Sequence, residues 1–267
     1  MSGRRPLHLD GDVPPSPRLA VVGSRAAHRR FREAVAPVVR AAAGRRFSLV
    51  SGGAVGIDAD VHAAALAQGV PQLAVVPCGP DRPYPPQHVP LFDRIAAAAD
   101  SGVLYAHGPG TTPTRGMFAS RNAIVVALCE AVVVVEAAPR SGTMLTATLA
   151  RRKQRPRAVV TGSAGAAVLV AGGAHALPWD PAAPEVLTRA VDAWLRAVAA
   201  GEPEPAVVGA VWPEHLHWLR EALASAGPAG LSVDALARPR VALRGLSDAQ
   251  ARGLVVERSP GRYVATR

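Results

Sequence analysis

The sequence predicts an α/β fold: a doubly wound Rossmann-like, mostly parallel sheet, followed by a small C-terminal winged-helix domain. Two observations predict the first part. Short apolar runs alternate with helix-length stretches from Leu19 to Thr161, and several of those runs end in Gly- and Ser-containing turns. A third predicts the second part, because the residues after 206 carry their own helical periodicity and a hairpin signal.

Residues 1–17, rich in Pro and charge, read as a mobile arm. A strand at Leu19–Val22 then runs into Gly23, a helix follows over Phe31–Ala43, and a second strand, Phe47–Val50, ends at Ser51-Gly52-Gly53. Next come a helix over Ile57–Gln68, a strand over Gln72–Val76, a helix over Val89–Ala99 and a strand over Val103–Tyr105. A helix over Arg121–Cys129, a strand over Ala131–Glu136, a helix over Thr143–Arg152 and a strand over Arg157–Thr161 complete a Rossmann-like domain of residues 18–180. Residues 181–206 read as a helix and an extended linker, Gly201-Glu202-Pro203-Glu204-Pro205. Within the winged-helix-like domain, 207–267, helices are expected at His215–Ala224, Leu231–Leu236 and Asp248–Gly253, with two strands around Ser259-Pro260-Gly261.

Composition narrows the function classes. The chain has 267 residues, 49% of them hydrophobic, and only two cysteines, Cys78 and Cys129, which stand apart from each other and from any His cluster. That excludes a disulfide framework and a structural zinc site, predicts no metal and no cofactor, and suits a reducing, cytoplasmic compartment. The longest apolar run, Ala123–Ala138, is broken by Glu130 and Glu136, so no membrane segment is expected. The net charge of +10 lies in the body of the protein: residues 1–17 are neutral, 18–180 carry +9, 181–206 carry −2 and 207–267 carry +3. A basic folded surface suits a polyanion, although sign alone equally suits a solubilising surface.

In a doubly wound sheet, ligands sit at the C-terminal strand edges, where loops lead into helix N-termini with free N–H groups. Three loops carry suitable residues: Gly23-Ser24-Arg25, Ser51-Gly52-Gly53, and Arg140-Ser141-Gly142-Thr143. Each alone reads as a turn needing glycine and a cap; three at equivalent edges of one sheet point to a phosphate site. The spaced glycines of a dinucleotide fingerprint and a Walker lysine are both missing, which sets NAD and ATPase readings aside. Asp58 and His62, four apart on one helix, are either an acid–base pair, two metal ligands, or a cap and a core histidine. Arg115 and Phe118 lie in the loop before the helix expected at Arg121-Asn122. An Arg opening a helix calls for an external anion or for a salt bridge to Glu136 or Asp58. Tyr84-Pro85-Pro86 reads as a turn whose tyrosine is able to stack on a base.

Taken in order, a set of motifs resembles the DNA-processing protein A (DprA/Smf) family over roughly residues 18–162. They are Val22-Gly23-Ser24-Arg25, the Ser51–Asp58 stretch with His62 and Leu66, Tyr84-Pro85, Phe118 with Arg121-Asn122 and Ile124, Val134–Ala137, and Ser141-Gly142 with Thr146-Ala147. Ala123 and Ala106-His107 depart from the family pattern, and the closing Pro260-Gly261-Arg262-Tyr263 is similar to the winged-helix tail of some members. The resemblance implies a non-catalytic protein that binds single-stranded DNA, acts in recombination or natural transformation, partners a RecA-type recombinase during loading, and forms a homodimer. It implies a basic pocket near the Gly23-Ser24-Arg25 loop, at Arg25, with Ser51, Gly52, Arg121 and Asn122 at matching loop positions; the sheet-edge loops themselves add Gly23, Ser24, Gly53, Ser141, Gly142 and Thr143, and the neighbouring Arg115 and Arg140 extend the groove. Two other readings stay open. One is a nucleotide-binding or nucleotide-cleaving protein similar to the LOG group, with Asp58 or Glu136 as its carboxylate. The other takes the winged helix as a duplex-DNA reader using Arg238, Arg240 and Arg244, or as a protein-docking module.

Overall fold

The computed structural model describes residues 7–201, 216–226, 231–232, 245–247, 249, 255–259 and 262–265. An eight-stranded sheet is built from β1 (His8–Gly11), β2 (Arg18–Val22), β3 (Ser48–Ser51), β4 (Gln72–Val76), β5 (Gly102–Tyr105), β6 (Ala131–Val134), β7 (Arg157–Val160) and β8 (His175–Leu177). The spatial order is β1-β5-β4-β3-β2-β6-β7-β8, with only the β1–β5 pair antiparallel. The chain winds outward from β2 towards β5, then returns to lay β6 against the other side of β2 in register Leu19 to Ala131 and Val22 to Val134. That reversal opens a crevice beyond the carboxyl ends of β2 and β6, the topological switch point where ligands of such sheets bind.

Both faces are covered, so the central strands are apolar on both sides. On one face Leu19, Val21, Leu49, Val133 and Val160 pack under α1 (Arg29–Arg32), α2 (Val35–Gly44), α3 (Ile57–Gln68) and α8 (Pro184–Ala200). On the other, Ala20, Val22, Val50, Val75 and Val134 pack under α5 (Arg115–Ala127), α6 (Gly142–Arg152) and α7 (Ala164–Ala171). A 3-10 turn at Pro86–His88 leads into α4 (Val89–Ala96), whose Phe92 and Ile95 close the β4–β5 end.

Several expectations shift. The arm over 1–17 contains β1, an edge strand paired only on one side, with His8 opposite Tyr105; its mixed, charged sequence gives no period-2 signal because neither of its faces is buried. The helix expected over 31–43 is two, because Pro37 lacks the N–H that would bond back to Glu33. The helix expected to open at Arg121 starts six residues earlier, at Arg115. α7 and β8 were not expected at all: Ala164–Ala171 is apolar all round and shows no helical stripe. α8 is no linker. Leu187, Ala190, Val191, Trp194 and Leu195 form one buried stripe against α2, and Trp194 is fully buried, so this helix belongs to the main core.

In the C-terminal part, α9 (His217–Ala226), β9 (Leu231–Ser232), β10 (Val255–Ser259) and β11 (Arg262–Ala265) are described, with β10 and β11 forming the expected hairpin and β9 pairing with β11. Leu231–Ser232 is strand where a helix start was expected; residues 245–247 are helical ahead of the third expected helix, 248–253, and residue 249 is helical within it. The linker beyond Gly201, most of the expected helix over 231–236, and Arg238, Arg240 and Arg244 lie outside the described residues.

Candidate functional site

A cavity of about 550 Å³ occupies the switch point, lined among others by Gly23, Ser24, Arg25, Arg115, Phe118, Arg121, Asn122, Ser141, Gly142 and Thr143. Three segments build it. The β2 loop brings the Gly23 backbone, the Ser24 hydroxyl and the Arg25 guanidinium. α6 brings its N-terminus: Ser141 accepts the Met144 N–H at 3.3 Å as N-cap, and Thr143 Oγ1 donates to the Gly23 carbonyl at 3.0 Å, fixing the helix end beside the β2 loop. α5 contributes one face, with Arg115, Phe118, Asn122 and Val125 towards the cavity, and Asn122 Nδ2 donates to the Gly142 carbonyl at 3.4 Å. The open N–H groups of α6 and the arginines give the crevice positive potential and donors suited to an oxyanion.

Beneath that surface lies a buried ion pair. Arg121 and Asp58 are 5% and 6% exposed, with Arg121 Nη1 3.8 Å from Asp58 Oδ2 and 3.3 Å from the Val75 carbonyl that accepts its proton. Burial pushes the Asp58 carboxyl up, while Arg121 and the Ala54 and Gly23 backbone N–H groups draw it back down. Its carboxylate therefore ties α5 to the loops after β2 and β3. Gly52 is required here by close approach: a Cβ on it would collide with Arg121 Nη1 and reach within 2.6 Å of Asp58 Oδ2. Gly56 (φ 83°) is required as well, since its Cβ would strike the Ser24 carbonyl, and the next N–H, that of Ile57, donates to that same oxygen at 3.2 Å.

Arg25 stands in contrast. It is exposed, has no ion pair with a carboxylate among the described residues, and lies 4.6 Å over the Phe118 ring. Phe118 in turn meets Tyr84 edge-on at 5.8 Å. Arg25 and Phe118 separate the main cavity from a smaller one of about 190 Å³, lined by Gly52, Pro77, Tyr84, Pro85 and Gln87.

Of the expected site residues, Gly23, Ser24, Arg25, Arg115, Arg121, Asn122, Ser141, Gly142 and Thr143 come together around the main cavity. Gly52 lines the smaller one. Ser51 does not face either: it is fully buried and donates to the Val21 carbonyl at 2.7 Å. The Gly53 carbonyl contacts His88 Nδ1 at 2.9 Å, while the glycine packs on Phe92, and Arg140 (φ 63°) is exposed outside the cavity lining. Arg121 is mid-helix, so the macrodipole argument for it falls and the salt bridge to Asp58 takes its place. Asp58 and His62 form no acid–base pair. His62 is fully buried, its Nδ1 is 2.7 Å from Gln72 Oε1, and burial lowers its pKa to about 4, the state of a neutral core histidine. The Glu136 carboxylate accepts the His28 N–H at 3.1 Å and lies outside the cavity lining; burial pushes its pKa up. Among the described residues no group of three or more His, Cys, Asp or Glu is placed to hold a metal, and no helix is long and apolar enough to cross a membrane. Reading residue by residue undervalued Phe118 as the platform under Arg25; starting the helix at Arg115 would have put Arg115, Phe118, Asn122 and Val125 on one face.

The profile of the DNA recombination-mediator protein A family matches residues 5–183. The chain belongs to that family. The DNA processing protein DprA of Mycobacterium tuberculosis is 38% identical over 230 residues, which is 84% of this chain and 57% of that protein. DprA of Streptococcus pneumoniae is 38% identical over 147 residues, 55% of this chain and 51% of that one. The chain thus spans little more than half the length of these curated relatives. The solved structure of the S. pneumoniae protein superposes with a TM-score of 0.59 at 34% identity, covering 64% of this chain and 62% of that one. A Helicobacter pylori DNA processing protein A, described for its single-stranded DNA binding mode, superposes at 0.58 with 26% identity, covering 66% and 83%. The DprA-type Rossmann-like domain is therefore present here.

Proposed function

We propose that this DprA-family chain binds single-stranded DNA through the switch-point crevice without catalysing a reaction on it, in recombination or natural transformation. The observation that carries the reading is Arg25. Its guanidinium is held over the crevice by an aromatic ring, unpaired with any carboxylate among the described residues, next to the open N-terminus of α6. A phosphodiester fits between Arg25, Arg115 and the α6 amides, while the Phe118–Tyr84 ring pair offers a sequence-tolerant surface for bases. The H. pylori relative supports the ligand class. Delivery of the strand to a RecA-type recombinase and assembly as a homodimer are the finer parts of this proposal, and a cytoplasmic location goes with them.

The test is fluorescence anisotropy with labelled single strands and duplexes of equal length at several salt concentrations. Arg25→Gln with Arg115→Gln is expected to weaken single-strand binding equally across sequences and to reduce the salt slope by about 0.7 for each phosphate left without its cation. Arg121 is left intact because it belongs to the buried pair. Unchanged affinity and slope in the double variant would overturn the reading.

A further inference from the structure

The opposite edge of the sheet, where the strands begin, carries cations in an arrangement that packing alone does not require. Four helices close onto the next strand through the same turn. In α2, α3, α6 and α7 an N–H reaches back five residues, from Phe47 to Ala42, Val70 to Ala65, Arg155 to Ala150 and Ala174 to Leu169, at 2.9–3.0 Å. The residue before each of those N–H groups is left-handed. At two of the four it is glycine, Gly69 (φ 62°) and Gly173 (φ 85°). At the other two it is Arg46 (φ 57°) and Gln154 (φ 53°), where a side chain meets a steric cost that glycine avoids.

The two exceptional turns flank the middle of the sheet. Arg46 precedes β3 and the 151–155 turn precedes β7; the order β3-β2-β6-β7 separates them by three strand spacings, about 14 Å. Arg46, Arg151, Arg152 and Lys153 are exposed, Arg155 is half-buried, and none of the five forms an ion pair among the described residues. Two carboxylates lie nearby: Glu130, at the entry to β6, accepts the backbone N–H of Arg18 at 2.6 Å and keeps its charge, one anion against the five cations, while Asp192 is paired with Arg45 and Arg196. Asp100 precedes β5, two strands beyond β3. Cations at the end of α6 also suit its carbonyl dipole, but that does not account for an arginine in the strained position after α2.

We infer that this strand-entry edge, from Arg46 to Arg155, is a second surface for a phosphodiester backbone, so that one domain holds two strand segments at opposite edges of its sheet. The inference extends the nucleic-acid reading to a surface that shares no residue with the crevice. Native mass spectrometry of the full chain with a short oligothymidylate, together with the salt dependence of its binding, tests it. The edge variant combines Arg46→Gly, Arg151→Gln, Arg152→Gln and Lys153→Gln, all at exposed positions, and glycine fits the left-handed turn. Wild type is expected to take two strands and the edge variant one, with a salt slope lower by up to about 3 for the four cations removed. A single strand on wild type, or an edge variant with unchanged stoichiometry and slope, overturns the inference. So does a variant whose only change is a lower melting temperature, which would assign the cations to the end of α6. If the edge variant loses a strand while Arg25→Gln with Arg115→Gln loses nothing, the edge stands and the crevice reading falls.

Discussion

Arg25 and Arg121 border the same crevice and differ in almost every physical respect. Arg121 belongs to an inner layer, 5% exposed, paired with Asp58 and shaped around by Gly52. Arg25 belongs to an outer layer, exposed and resting on Phe118. The inner layer joins the loops after β2 and β3 to α5, and its charges largely satisfy each other. The outer layer leaves its charge for something else. An arginine in a loop motif is therefore not a ligand-binding residue by type: the neighbour that neutralises it decides.

The sharpest way to break this comparison is to remove one side of the inner pair. Arg121→Met leaves the Asp58 carboxylate buried without its counter-ion and is expected to cost about 3–5 kcal/mol of stability in urea denaturation. Arg25→Gln is expected to stay within about 0.5 kcal/mol of wild type. Adding Asp58→Asn to Arg121→Met should recover part of the loss, since the stranded charge is then gone. Equal, small effects from Arg121→Met and Arg25→Gln would abolish the distinction between the layers.

How far this was legible beforehand depends on what kind of signal each element leaves. Strands such as Gln72–Val76 and helices such as Ile57–Gln68 stand in the sequence at their observed bounds, because continuous apolar runs and glycine breaks mark them. The start of α5 was invisible since Arg115-Gly116-Met117 lacks an apolar period, and that single displacement turned Arg121 from a mid-helix core residue into an apparent helix opener. The convergence of Gly23-Ser24-Arg25 and Ser141-Gly142-Thr143 on one cavity was legible, because parallel topology places all such loops at one edge. Which arginine faces a carboxylate was not, since Asp58 and Arg121 meet only through the fold.

A second break comes from pH. His62 lies one turn from Asp58 on α3, and His175 stacks on Trp194 at 6.5 Å between ring centres; burial holds each at a pKa of about 4 against an ordinary value of 6.5. The unfolded chain takes up these protons first, so stability is complete above pH 6.5 and is lost as the pH falls towards 4, by about 3 kcal/mol per histidine. Asp58, with its carboxyl pushed up, acts in the opposite direction at the acid end. Urea midpoints measured from pH 7.5 to 4.5 should fall steadily, and His62 or His175 resonances that titrate near 6.5 would show that these buried sites are open to water.

The finest test separates holding a charge from having it. Phe118→Leu keeps α5, Arg25 and every cation in the crevice, and removes only the ring under the guanidinium. A cation–π contact at an exposed site contributes about 0.5–1 kcal/mol, so single-strand affinity should fall about two- to five-fold if the ring's role is to keep Arg25 aimed at the crevice. The number of phosphates neutralised does not change, so the salt slope should stay at the wild-type value, unlike that of Arg25→Gln. Because Phe118 also offers a face to bases, abasic and thymidine strands need comparison: an equal loss on both assigns the effect to Arg25, and a loss confined to the strand with bases assigns it to stacking. A Phe118→Leu protein with wild-type affinity on both would mean that Arg25 reaches its phosphate without the platform, and that the outer layer is ordered only by its ligand.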